Sequence, residues 1–127
     1  MVGFGFPKQH RLLTARDFQR VFDQSGLKAS SKRISLLAAT NQLGYPRIGF
    51  IIPKKQIRLA AQRNRIKRVI RESFRLQGTS HFGYDIIVLV RKGLDENDNA
   101  GIRADFEYLW KKLKQRANTS NAATAGT

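Results

Sequence analysis

Ala60-Ala61-Gln62-Arg63-Asn64-Arg65-Ile66-Lys67-Arg68-Val69-Ile70-Arg71-Glu72-Ser73-Phe74-Arg75-Leu76 is the stretch on which the fold turns. At 100° per residue, Ile66, Val69, Ile70 and Phe74 fall within one arc, together with Leu59 just ahead of them. Asn64, Lys67, Arg68, Arg71 and Arg75 fall opposite. The pattern predicts an amphipathic helix with one face packed and the other carrying a row of cations. Gly78 and the polar residues after it close the helix. Arg47 to Ile52 before it and Tyr84 to Val90 after it both read as strands. A strand, a helix and a strand in succession suggest a crossover within one sheet.

Outward from this unit the chain stays regular. Ile34 to Thr40 reads as a further strand. The short turn Asn41 to Pro46 predicts an antiparallel hairpin with Arg47 to Ile52. Pro53 ends that strand, because it has no N–H to donate. Lys28 to Arg33 reads as a basic loop. Leu13 to Gln24 predicts a helix, with Thr14 and Asp17 as a capping box and Phe18, Val21 and Phe22 as its apolar face. Tyr84 to Val90 is a nearly continuous apolar run, as a central strand requires. A loop from Arg91 to Gly101 leads to a last helix, Ile102 to Arg116. The element order is α-β-β-α-β-α, a small α/β sandwich of helices on a mixed sheet. Residues 1–116 read as one domain, with Met1 to Arg11 as an extended arm and 117–127 as a flexible tail.

Composition narrows the function. The 127 residues contain 24 Lys+Arg against 9 Asp+Glu, a net charge of +15. A hydrophobic fraction of 41% is enough for one core and argues against a disordered chain. No cysteine is present, which excludes disulfides and thiolate chemistry. His10 and His81 do not make a metal cage by themselves. No apolar run approaches the ~20 residues of a membrane span, and no targeting segment is evident. A cytoplasmic protein without membrane association is expected. So much uncompensated charge repels itself and points to a polyanionic partner. Nine basic residues lie between Lys54 and Arg75, with Glu72 the only acid, so pairing along the helix cannot neutralise them. Glu72 itself reads as a partner for those cations.

Arg63-Asn64-Arg65-Ile66-Lys67-Arg68 and the residues after it resemble the signature of the protein subunit of bacterial ribonuclease P. Leu13-Thr14-Ala15-Arg16-Asp17-Phe18 with Phe22 is similar to that family's first helix. Pro46-Arg47-Ile48-Gly49-Phe50 followed by Lys54-Lys55, and Tyr84-Asp85-Ile86-Ile87-Val88, resemble its later strands. The resemblance spans roughly residues 8–116. It implies an α/β (α+β) two-layer sandwich with a four-stranded mixed sheet and a left-handed β-α-β crossover, against the usual hand.

The resemblance also implies a function. A large RNA subunit carries the active site and its Mg²⁺, and the holoenzyme removes the 5′ leader of precursor tRNA. The protein is a cofactor that binds ribonuclease P RNA and the leader, and binds no cofactor of its own. Arg63, Asn64, Arg65, Lys67, Arg68 and Arg71 match the positions that contact the catalytic RNA. Phe18 and Phe22 match aromatics lining a leader groove, and Lys54 and Lys55 a pair holding leader phosphates. Leu36-Leu37 stands where some members carry an aromatic, and Pro53 where a small residue precedes the lysine pair.

The residues themselves offer no autonomous catalyst. Asp95, Glu96 and Asp98 read as a solvated loop, and neither histidine nor Ser73 has a recognisable catalytic partner. Other readings are a structural RNA-binding protein, a protein-only nuclease built on that acidic loop, and a DNA-binding protein. The last needs side chains aimed at base edges, whereas Ile66 and Val69 face the core.

Overall fold

A computed structural model describes residues 10–12, 14–77 and 82–125. The elements are α1 (Ala15–Gln24), β1 (Leu27–Ser30), β2 (Ile34–Thr40), β3 (Arg47–Ile51), α2 (Ala60–Leu76), β4 (Tyr84–Val90), a 3₁₀ turn (Leu94–Glu96) and α3 (Asn99–Ala125). The four strands form one mixed sheet in the order β1-β2-β4-β3. β1 and β4 each run antiparallel to β2, while β3 and β4 are parallel.

β4 lies in the interior of the sheet, and its position corrects the hairpin expected for β2 and β3. It pairs with β2 along its whole length, from Ile34↔Val90 to Thr40↔Tyr84. β3 is displaced to the outer edge, with Ile48 opposite Ile86 and Phe50 opposite Val88. The driving force is burial. Ile86, Ile87 and Val88 are all fully buried, so both faces and both edges of β4 must be covered. The loop Asn41 to Pro46 steps over one strand, a span of roughly 10 Å. The parallel pair β3 and β4 is connected through α2, as the crossover expectation required.

β1 replaces part of the basic loop expected at Lys28 to Arg33. It carries one fully buried residue, Ala29, between exposed Lys28 and Ser30. Its pairing partners are Leu37 for Lys28 and Ser35 for Ser30. The return to β2 is tight, with Ser31 N donating to Ile34 O at 2.8 Å.

Helices occupy both faces. α2 and α3 cover one with Ile66, Ile70, Phe74, Phe106, Leu109, Trp110 and Leu113 against Leu36, Ile48, Ile86 and Val88. Trp110 meets Phe74 edge-on at 5.4 Å and stacks with Phe106 at 6.0 Å. α1 lies on the opposite face, where Val21 packs with Leu12, Ala39 and Ile87. It therefore adds a partial third layer to the sandwich. Thr14 caps it by accepting from Asp17 N at 3.1 Å, so it begins at Ala15; Leu13 lies outside the described residues.

Two helix boundaries also differ from expectation. Leu59 leaves the apolar face of α2, because its backbone is extended (ψ 126°) and its side chain is 65% exposed. α3 begins at Asn99, where Asp98 Oδ1 accepts from Gly101 N at 2.8 Å. It continues to Ala125 through most of the expected tail, and Ala117 is buried. Residues 1–9 of the expected arm, 78–81 and 126–127 lie outside the described residues.

Candidate RNA-binding site

The cations of α2 separate into two groups. Asn64, Arg68 and Arg75 are exposed and Lys67 is half-buried, and none makes a hydrogen bond or ion pair among the described residues. Arg71 lies along the same face, its guanidinium carbon 5.2 Å from the centre of the Phe50 ring. Burial holds its pKa below the ordinary arginine value, and the charge of Arg11 lowers it further. Glu72, expected to pair with these cations, is exposed and forms no ion pair among the described residues.

Arg63 and Arg65 turn inward instead. Arg63 Nη1 donates to the carbonyls of Ile57 and Arg58 at 2.9 and 3.0 Å. Arg65 donates to Gln62 Oε1 and Asn99 Oδ1, both at 2.8 Å, and to the carbonyls of Asp95 and Asn97 at 3.0 and 3.2 Å. One guanidinium thus fastens α2 to the segment that starts α3. The triplet places Asn64 on the solvent face and spends its two arginines on the fold.

The opposite face of the sheet is covered by α1 over only part of its area. Leu37, Ile51 and Leu89 are half-buried there, and Leu36 points into the core on the other side. Of the candidate aromatics, Phe18 is half-buried and Phe22 is 44% exposed. Gly49 lets α1 come this close: a Cβ there would lie 2.5 Å from Phe18 Cζ and 2.9 Å from Leu12 Cβ. Beyond β3, Pro53 O accepts from the backbone N–H groups of Gln56 and Ile57. The turn buries Ile57 and leaves Lys54 and Lys55 exposed, with no ion pair of their own. Lys32, Arg91 and Lys92 line a cleft beside the same turn.

A buried carboxylate positions α1, and the sequence reading passed over it. Asp85 is fully buried. It accepts from Arg47 Nε and Nη2 at 2.8 and 2.7 Å, from Asn41 Nδ2 at 2.9 Å, and from Arg20 of α1. Arg20 also donates to Thr40 O at 2.9 Å. Burial pushes the Asp85 pKa up, but the hydrogen bonds from Arg47 and Asn41 and the charges of Arg47 and Arg20 hold it below the ordinary value. The same contact raises Arg47. The available signal was one acid in an otherwise apolar strand, with Arg47 at its paired position on β3.

Three of the remaining candidates for chemistry, Asp98, Ser73 and His10, have structural partners. Asp98 caps α3, and Ser73 Oγ donates to Glu107 Oε2 at 3.1 Å between α2 and α3. His10 Nδ1 lies 3.1 Å from Pro46 O and its ring meets Tyr45 edge-on. His81 lies outside the described residues. Among the described residues, no three or more His, Asp or Glu side chains converge as a metal site would require, and no helix is long and apolar enough to cross a membrane.

Comparison with known proteins gives one answer. The family model described as Ribonuclease P matches residues 6–114. The ribonuclease P protein component of Chromohalobacter salexigens is 45% identical over 120 residues, covering 94% of each chain. That of Ectopseudomonas mendocina is 48% identical over 122 residues, covering 96% of this chain and 91% of the relative. The Staphylococcus aureus RNase P protein superposes with a TM-score of 0.76 at 27% identity, covering 83% of this chain and 95% of the other. The Thermotoga maritima protein gives 0.67 at 30% identity, covering 83% and 96%. A match over nearly the whole chain, on the fold that carries the free cationic face, makes this chain a member of the ribonuclease P protein family.

Proposed function

We propose that this chain is the protein subunit of ribonuclease P and that it assists an RNA catalyst without supplying catalytic groups. In this reading the outer face of α2, with Asn64, Lys67, Arg68, Arg71 and Arg75, binds phosphates of the catalytic RNA. Arg63 and Arg65 hold that face in shape. The open sheet face beside α1 takes the 5′ leader of precursor tRNA, with Phe22 and the half-buried Phe18 stacking on bases. Lys54 and Lys55 neutralise leader phosphates. The RNA holds the catalytic Mg²⁺, and the reaction belongs to the cytoplasm. Three acids are engaged within the fold: Asp85 by arginines, Asp98 at the start of α3 and Glu107 by Ser73.

The observation that carries the reading is a helix face of cations with no hydrogen-bonded or acidic partner among the described residues, in a member of this family. Arginine suits the task, because its planar fork grips phosphate bidentately. The test is cleavage of a 5′-labelled precursor tRNA at low Mg²⁺ by the chain, by bacterial ribonuclease P RNA, and by both. Faster cleavage at the mature 5′ end only in the mixture is expected. Cleavage by the nuclease-free chain alone would make it a catalyst. No effect on the RNA would leave a structural RNA-binding protein.

A further inference from the structure

Arg11, the last residue of the expected arm, lies outside the helices and strands named above. Its backbone bridges in parallel to Ile48 on the outer edge of β3, and Leu12 N donates to Ile48 O at 3.0 Å. Leu12 packs on the α1 side of the sheet. Side chains alternate along an extended segment, so Arg11 points the other way, to the α2 side. Ile48 and Phe50, two residues apart on β3, face that same side. Arg71 reaches the same place from α2 and lies over Phe50. Arg11 and Arg71, sixty residues apart in sequence, therefore reach the same side of the β3 edge, within range for the charge of Arg11 to act on Arg71.

The surroundings of Arg71 are unfavourable to its charge. Arg71 already suffers from burial, the charge of Arg11 lowers its pKa further, and no acidic group acts in the other direction. Arg71 Nε is buried with no hydrogen-bond partner among the described residues, and no ion pair includes Arg71. Stacking on Phe50 accounts for where Arg71 lies. It gives the Nε of Arg71 no acceptor. An anion between the two would remove the repulsion and supply an acceptor.

We propose that Arg11 and Arg71 clamp a single phosphate of the ribonuclease P RNA, extending the α2 contact across the edge of β3 onto the segment before α1. The clamp rests on the reading of α2 as the catalytic-RNA face. A phosphodiester has two free oxygens and one negative charge. Two forks from different elements hold both oxygens and fix the direction in which the strand leaves α2.

Binding of the full chain to ribonuclease P RNA, measured across a salt series, tests this with R11Q, R71Q and the double variant. Each single change should weaken binding about tenfold or more, the scale of one lost charge-assisted contact. A shared phosphate makes the losses non-additive, so the double variant should be far weaker in effect than the product of the singles. The salt slope should fall by about 0.7–0.9 in the double variant, the value for one phosphate, and not by twice that. R11K, which keeps the charge and loses the fork, should lie between wild type and R11Q, and thermal melting confirms folding of each variant. Wild-type binding with R11Q unchanged, or single effects that multiply, would overturn the clamp and leave the α2 reading intact. Failure of the wild-type chain to bind this RNA would instead overturn the reading beneath it.

Discussion

Arginines of one helix do unlike work, and single substitutions separate them. Arg65 fills four of its five donors within the protein, so Arg65→Ala removes the tie between α2 and the start of α3. The expected cost is about 1–2 kcal/mol of stability, read by urea unfolding, because the freed carbonyls regain only water. Arg68 is exposed and makes no such bond, so Arg68→Ala should change stability by less than about 0.5 kcal/mol and weaken binding to ribonuclease P RNA. Equal effects of both on folding would refute the division. The helical period revealed the apolar arc of α2 and the outward direction of Arg68, Arg71 and Arg75. It could not reveal the role of Arg65, whose acceptors beyond α2 lie thirty or more residues away, in the turn before α3 and at its first residue. Asp85 was hidden in the same way, since its partners come from α1, β3 and the intervening turn. Its folded pKa is depressed, so its contribution is present above the ordinary carboxylate range and is lost as pH falls through that range and below, under about pH 4. Stability against pH should therefore decline there in the wild type, and Asp85→Asn should flatten the decline while lowering stability at pH 7.

Elements were legible where burial wrote a long pattern and illegible where it did not. α2 and β4 each bury several large side chains, and both stand where periodicity put them. β1 buries Ala29 alone, and four residues with one small apolar side chain carry no strand signal. The hairpin expected for β2 and β3 failed because short loops favour neighbours only when no later strand needs the place more. For the site, the decisive element is α1, which forms one wall of the open sheet face. Its seat depends on the missing side chain of Gly49. Gly49→Ala pushes against Phe18 and Leu12, so α1 must shift outward, at an expected cost of about 1–3 kcal/mol. In holoenzyme binding assays the variant should lose affinity for precursor tRNA with a leader and keep affinity for mature tRNA. Phe22→Ala should produce the same leader-specific loss, about 1–3 kcal/mol per base stacked, with less change in folding because the ring is 44% exposed. A leader-independent loss in both would remove α1 from leader binding.

At the scale of the whole molecule, one charge distribution sets two opposite responses to salt. The net charge is +15, yet among the described residues the ion pairs of Arg20 and Arg47 converge on Asp85 and Asp17. The cations of α2, Lys54 and Lys55 remain uncompensated, so the free fold works against its own repulsion. Salt screens that repulsion, with a Debye length of about 10 Å at 0.1 M. It weakens the Asp85 cluster less, because the carboxylate is buried. The melting temperature of the free chain should therefore rise between 50 and 200 mM NaCl. Over the same interval the affinity for ribonuclease P RNA should fall about 10³-fold if roughly six phosphates are contacted, through the loss of counterion release. Salt and RNA thus compete for one role, neutralising the same face, and RNA should raise the melting temperature most when salt is low. A melting temperature that falls with added salt would show that the ion pairs outweigh the free cations in the folded chain. The charge on α2 would then be ordinary surface, and the physical argument for a polyanionic partner would fail with it.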